Sequence, residues 1–500
     1  MTVDTPALTS AGFVHDLLAH AAGAHPGRPS VRDREGAWSY AELEANARRA
    51  AQWLDALGVR RGARLLCVLS GGRDFAALLF GAISRGVIFV PVAEDASAYQ
   101  LEHLLADANP AAVVATAGRV PEIAALTPVP VLAPAYAEVP AEATEAGPVG
   151  TPDDPALLIY TSGTTARPKG IVCPHRAVVW ATRAIAERVE YQPSDVVYCR
   201  VPVSFDYGLY QLFLAVLAGA EVVYPRESAS AHELVSIRAA GATVVPVVPT
   251  LALLLAQLGE RDPRPTSVRL LTNTGAALVG RDADRVRAAF PGAALICMYG
   301  MSECKRISIA APDEDLAYPG TVGRPLSGTR LFVLGRDGEP VARGGVGEIV
   351  VAGPHVMDGY WGSAAAEQQR ERFVTAPEGA GPALRTGDFG SVDEDGRLYF
   401  HGRRDDLFKR RGWRVSCQEV ESAALDVAGV EQAACLPPDA DGTFTVWTTG
   451  PAAPAEVLRG IDARLGPAKT PDRCVPVPRM PLTPNGKLDK AALRAGAHGD

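Results

Sequence analysis

Nowhere in its 500 residues does the chain carry a C-x-x-C pair or an H-x-x-x-H cluster. Its eight cysteines (67, 173, 199, 297, 304, 417, 435 and 474) are scattered. That spacing excludes a disulfide framework and a structural zinc site, and it suits a reducing compartment. The nine histidines form no ligand cluster, so no protein-held transition metal is expected. Basic charge is not in excess: 49 Lys and Arg against 57 Asp and Glu leave a net −8. Nucleic acid is therefore not the expected partner, since phosphate backbones favour a basic face. One local basic run, Lys409-Arg410-Arg411, could still meet phosphate or an acidic protein. The longest apolar stretches, near 212–220 and 243–256, are too short or too proline-broken to span a bilayer. Met1 to Phe13 lack the basic start and apolar core of a signal peptide. A cytoplasmic protein with no membrane partner is expected.

What is present is ordinary in bulk, with 47% hydrophobic and 21% charged residues. The length exceeds what one hydrophobic core usually supports, so two or more domains are expected. Short β-branched runs alternate with longer helical patterns, which indicates an α/β fold with largely parallel sheets. Helices are predicted over 40–57, 75–84, 234–240, 251–258 and 286–290. Strands are predicted over 64–69, 87–92, 243–248, 268–272 and 294–298. From Gly328 the character changes to Gly-rich turns between short strands, such as 330–333 and 347–351, a small β-rich subdomain over about 328–403. Residues 376–382 look like a surface loop, and a compact α+β unit follows over 404–500. The large N-terminal unit is thus 1–403.

The most informative segment begins at a continuous apolar run, Ala156-Leu157-Leu158-Ile159-Tyr160, as expected of a buried strand. It feeds into Thr161-Ser162-Gly163-Thr164-Thr165-Ala166-Arg167-Pro168-Lys169-Gly170. Hydroxyls, glycines, a lysine and consecutive amides can surround a polyphosphate: Gly permits close approach, O–H and N–H groups donate, and Lys supplies charge. A P-loop is excluded, because G-x-x-x-x-G-K-[ST] fails where Pro168 precedes Lys169 and Gly170 follows it.

This decapeptide resembles the signature loop of the adenylate-forming superfamily: acyl- and aryl-CoA synthetases, adenylation domains of nonribosomal peptide synthetases, and luciferases. Other segments follow in that family's order. Trp38-Ser39-Tyr40-Ala41-Glu42-Leu43 is similar to its first core motif and Gly86-Val87-Ile88-Phe89-Val90-Pro91 to its second. Tyr299-Gly300-Met301-Ser302-Glu303 matches a signature in which the resemblance implies adenine contact from Tyr299, phosphate contact from Ser302 and Mg²⁺ on Glu303. The stretch from Gly347 to Gly359-Tyr360 resembles a further motif. Arg385-Thr386-Gly387-Asp388 resembles one whose Asp holds both ribose hydroxyls, a task one carboxylate can perform. Phe400 sits where the family places an apolar residue near the nucleotide, Arg403 would contact it, and Asp405 would be the pivot of a mobile C-terminal lid. Pro481-Leu482-Thr483-Pro484-Asn485-Gly486-Lys487 resembles the terminal motif with its catalytic lysine, which a Pro-Asn-Gly turn can project. Glu419 and Glu421 are expected to cap or salt-bridge a helix start.

The resemblance implies a reaction with ATP and Mg²⁺ in which a carboxylic acid becomes an acyl-adenylate and passes to a thiol. Asp206 stands where amino-acid-activating members bind the substrate ammonium. The same alignment would line the pocket with Tyr207, Tyr210, Thr250, Thr272, Thr274, Met298, Arg306 and Ile307. Arg306 could receive a second acid or carbonyl group, pair with Asp206, or face solvent. Gly275 lies where the family contacts adenine, although Thr274-Gly275-Ala276-Ala277 departs from its usual Gly-Gly-Glu. A small polar amino acid is the expected substrate and a non-amino carboxylic acid the alternative. The acceptor is a separate phosphopantetheinyl carrier protein or coenzyme A. No carrier, condensation or thioesterase motif is seen, so a stand-alone enzyme is expected. A luciferase-type oxygenase would share these motifs. Losing one preorganised donor typically costs about 10²–10³ in rate. Lys487→Ala should therefore cripple adenylate formation, and pyrophosphate exchange at near wild-type rate would refute the assignment.

Overall fold

A computed structural model describes residues 12–139, 150–161, 169–225, 232–276, 278, 280–362, 372–377, 381–403, 407–410, 413–439, 442–482, 488–489 and 492–494. Two large sheets dominate. In the seven-stranded sheet the spatial order is Gly359–Tyr360, Lys169–Pro174, Pro155–Thr161, Ile88–Val92, Arg64–Val68, Ala112–Ala115 and Val131–Leu132. Its middle is parallel, and the edge at Lys169–Pro174 runs antiparallel. Ile88–Val92 is buried throughout, as befits a strand covered on both faces.

The second sheet has nine strands, running from Arg324–Pro325 through Ser308–Ile309, Ala294–Tyr299, Leu270–Asn273, Val244–Val247, Val196–Tyr198 and Glu221–Val223 to Pro29–Asp33 and Gly36–Ser39. Every predicted helix and strand named above is found, with ends shifted by a few residues. Unforeseen were the strands at Pro29–Asp33, Gly36–Ser39, Val196–Tyr198 and Glu221–Val223. At three to five residues each, they are too short to show a period.

A five-stranded antiparallel sheet spans Arg330–Leu334 to Leu398–Arg403, and the C-terminal residues add a two-stranded and a three-stranded sheet. Residues 404–406, where the domain boundary was expected, lie outside the described residues, as does 378–380 of the expected surface loop. Arg281 donates to the carbonyls of Leu425 and Val430 at 3.4 and 3.3 Å, so the C-terminal unit touches the large one. Among the described residues no helix is long and apolar enough to cross a membrane.

One helix matters most for the site. Asp206–Ala218 is almost wholly buried and ends on Gly219 in the left-handed region. Tyr40, from the first motif, donates its hydroxyl to Ala220 at 2.6 Å and to Ala215 at 3.1 Å, bracing the far end of that helix. Ser39 caps Tyr40's own helix in a capping box with Glu42. At the near end Gly208 presses on the backbone of Val201 and Pro202, where any Cβ would collide. Asp206 is thereby held in the first turn, where helix dipoles favour a carboxylate.

Two buried histidines make stability depend on pH. His175 accepts a hydrogen bond from the Val14 N–H at 3.1 Å, and burial drives it from its ordinary 6.5 to about 4. His355, stacked on Trp180 at 4.9 Å, is pushed to about 4 by burial and secondarily by the charge of Lys305. Above about pH 6.5 both are neutral folded or unfolded. Below it the unfolded chain binds protons that the fold refuses, so stability drops as pH falls toward 4. Each shift is worth on the order of 3 kcal/mol. Denaturant titrations between pH 7.5 and 4 should show that loss, and His175→Asn should remove part of the slope.

Candidate active site

The strand Ala294–Tyr299 reverses into Ser308–Ile309, with Met298 facing Ile309 and Tyr299 facing Ser308. The connection between them, residues 300–307, folds closely on itself. Lys305 adopts φ +62°, a left-handed conformation rare for a non-glycine residue. Gly300 lies against it: a Cβ there would enter the Lys305 carbonyl and come within 2.8 Å of the Arg306 Cα. The Ile307 N–H donates to Tyr299 at 2.9 Å and the Cys304 N–H to Met301 at 3.0 Å. Strain of this kind persists only where the surroundings over-determine it.

On one side of the turn Tyr299 donates to Asp388 Oδ2 at 2.7 Å. Burial raises the Asp388 carboxyl above its usual range, with Arg403, at 3.5 Å, opposing. Burial also drives the Tyr299 hydroxyl well up, followed by the Asp388 charge, so it remains a donor. Thr386 accepts from the Asp388 N–H at 3.0 Å, within the strand Pro382–Val392. The Phe400 and Tyr299 rings lie 5.4 Å apart. Thr274, Gly275, Met298, Tyr299, Gly300, Asp388, Phe400 and Arg403 share a cavity of about 910 Å³, which Ser416, Glu419 and Lys469 close from the C-terminal unit.

On the other side Asp206, Ser302 and Arg306 meet. Arg306 Nη1 stands 3.2 Å from Asp206 Oδ2, and Ser302 donates to Oδ1 at 3.3 Å. Arg306 is buried, with its guanidinium 4.8 Å above the Tyr207 ring. Of its three expected orientations it takes the one paired with Asp206. Tyr207's hydroxyl is spent on Thr272, bonding its carbonyl and Oγ1 at 2.6 Å each. Tyr210, one turn beyond Asp206, buries a hydroxyl that has no hydrogen-bond partner among the described residues. Ile307 is fully buried beside this cluster, and Thr250 is half-buried in the first turn of the helix Pro249–Arg261.

The hairpin of the phosphate loop is closed by Thr161 pairing with Lys169. Ser162, Gly163, Thr164 and Thr165 lie outside the described residues, as do the side chain of Thr161 and the whole of Asp405 and Lys487. Glu303 is buried and accepts from the Tyr360 hydroxyl at 2.9 Å. Among the described residues no three His, Cys, Asp or Glu side chains gather as a metal cage. One carboxylate beside hydroxyls suits Mg²⁺ shared with substrate phosphates, which needs no cage.

The pattern of the AMP-binding enzyme family matches residues 18–361. This chain belongs to that family. It is 30% identical to the L-proline–[L-prolyl-carrier protein] ligase of Pseudomonas fluorescens, over 97% of this chain and all of that protein. It is 33% identical to the sulfoacetate–CoA ligase of Cupriavidus necator, over 95% and 96%. The structure of VinN with L-aspartate is similar with a TM-score of 0.70 and 38% identity, covering 78% of this chain and 98% of VinN. The AMP-binding enzyme described here is accordingly an AMP-forming acid–thiol ligase. ATP adenylates an acid, pyrophosphate leaves, and a carrier or coenzyme A thiol takes the acyl group with release of AMP.

Sequence reasoning passed over Lys305. Its ammonium is buried and rests on neutral acceptors, the Ser302 carbonyl at 2.6 Å and Cys173 Sγ at 3.1 Å. A signal existed: Lys305-Arg306 is a charged pair set between the apolar Cys304 and Ile307, just before the return strand Ser308–Ile309. Such pairs usually lie on a solvated face, and only the turn draws both inward. Gly300→Ala should destabilise the AMP-binding enzyme by about 2 kcal/mol or more and displace Lys305 and Arg306. Thermal unfolding checks the first effect, and loss of acid-dependent pyrophosphate exchange checks the second.

Proposed function

We propose that this ligase activates an acidic amino acid of the aspartate class and loads it onto the phosphopantetheine thiol of a separate carrier protein. The carrying observation is the charge around Asp206: this buried carboxylate is paired with the buried Arg306, while the adjacent buried Lys305 has no carboxylate partner among the described residues. A substrate bearing both an ammonium and a second carboxylate fits such a set. Its ammonium would take over Asp206, and its non-reacting carboxylate would take Arg306 and Lys305, as charge-assisted recognition favours. The orphan Tyr210 hydroxyl is a further donor in the same cluster. VinN, whose structure holds L-aspartate, supports the amino-acid reading. This narrows the expected small polar amino acid to one with a second acid.

In the first half-reaction the substrate carboxylate oxygen attacks the α-phosphorus of ATP, a P–O bond forms, and the bond to pyrophosphate breaks. Tyr299 and Phe400 would border adenine, Asp388 would accept the ribose hydroxyls, and Arg403 would stand beside them. Ser302 and the loop from Thr161 to Lys169 would hold phosphates, and Lys487 would stabilise charge on the α-phosphate and carboxylate. Glu303 would hold Mg²⁺, which supplies charge neutralisation on the phosphates when bound. In the second half-reaction the thiol displaces AMP and releases a proton. The unit from 404 onward is taken as a lid pivoting at Asp405. A coenzyme A acceptor is the second reading, favoured by the likeness to sulfoacetate–CoA ligase.

Pyrophosphate exchange over a panel of amino and non-amino acids should be strongest with L-aspartate or a close dicarboxylic analogue. Lys305→Met should lower kcat/KM for it on the order of 10²-fold, since truncating one side of a buried charged contact costs several kcal/mol. Equal exchange with leucine, proline and aspartate would overturn the reading. Thioester formation with added carrier protein or coenzyme A identifies the acceptor.

A further inference from the structure

We propose that Tyr360 is a positioning residue that ties the metal-holding carboxylate to the exit of the phosphate loop; this rests on the reading of Glu303 as the Mg²⁺ ligand. Tyr360 is buried, and its hydroxyl donates to Glu303 Oε1 at 2.9 Å. The opposite function belongs to its ring, whose centroid lies 5.7 Å from Lys169 Nζ. A tyrosine is well suited to both tasks, because the hydroxyl addresses an anion and the π-face a cation.

The backbone around Tyr360 is stitched to the same two places. The Met357 N–H donates to the Glu303 carbonyl at 2.8 Å, so Glu303 is gripped by main chain and side chain alike. Gly359–Tyr360 pairs antiparallel with Ile171 and Val172 of the loop's exit strand. The Trp361 N–H donates to Gly170 at 2.7 Å. Five consecutive residues thus fix the Glu303 carboxylate relative to Lys169. A carboxylate held this way presents its other oxygen in one orientation, and outer partners of metal ligands typically contribute about 10–100-fold to metal affinity.

The test is Mn²⁺ binding, followed by electron paramagnetic resonance on the full-length enzyme with α,β-methylene-ATP present. Tyr360→Phe keeps the ring over Lys169 and removes only the hydroxyl. It should weaken Mn²⁺ binding about tenfold and raise the KM for MgATP, while the KM for the acid stays unchanged. Glu303→Gln should abolish binding of Mn²⁺ to the enzyme, read as the undiminished spectrum of the unbound ion. If Glu303→Gln binds Mn²⁺ as the wild type does, the reading of Glu303 fails. If Glu303→Gln loses the ion while Tyr360→Phe keeps wild-type affinity, the role given to Tyr360 is overturned and that of Glu303 stands. Should Tyr360→Phe fold poorly, Glu303→Asp withdraws the ligand from the hydroxyl by one methylene. The same weakening is expected, and wild-type Mn²⁺ affinity there would equally overturn the proposal.

Discussion

A lysine in the left-handed region, wedged against a glycine that has no room for a side chain, sets the geometry of everything around it. Between Tyr299 and Ser308 the chain must reverse and still bury Ser302, Glu303, Lys305 and Arg306. Because Gly300 lets the Lys305 carbonyl approach, Tyr299 points toward Asp388 while Ser302 and Arg306 point toward Asp206. Two neighbouring clusters, proposed above as the nucleotide and acid subsites, are therefore spaced by a single turn. The registration that an in-line displacement demands is built into the backbone there.

Around this turn the charges are arranged in buried sets with different satisfaction. Asp388 accepts from Tyr299 on one oxygen and lies near Arg403 on the other. Asp206 is engaged by Ser302 and Arg306. The Lys305 ammonium rests on a carbonyl and a thiol, weaker partners than a carboxylate. A buried ion pair adds little net stability against apolar packing, and its retention needs another reason. Selection between ligands is such a reason: a molecule lacking either charge would leave one side of the Asp206–Arg306 pair, or Lys305, without compensation.

Much of this could be seen in the sequence. The strand before the phosphate loop was legible in composition, and the Tyr299–Glu303 and Arg385–Asp388 segments in their resemblance to family motifs. Glu419, expected to cap, does so in a capping box with Ser416. What stayed hidden has physical causes. Strands of three residues, such as Val196–Tyr198, carry no period. Lys305 reads as a surface lysine until the turn closes. Tyr207 matched a pocket position by alignment, yet its hydroxyl is consumed by Thr272 across to the neighbouring strand. That pairing depends on tertiary approach, which no local pattern encodes. Tyr360 belonged to a recognised motif, but its partner Glu303 lies 57 positions away.

The cysteines, first notable for forming no pair, have a practical side. All eight are buried, and burial pushes the thiols of Cys67, Cys173, Cys199, Cys297, Cys304 and Cys474 up from the usual range. Thiolate is the reactive form, and little of it exists in such surroundings. The folded chain is thus close to inert toward maleimides. Two cysteines introduced on the surface, one on each side of residue 405, would carry fluorophores almost alone. The enzyme arrives with a silent background against which the proposed swing of its C-terminal unit can be tested, one molecule at a time.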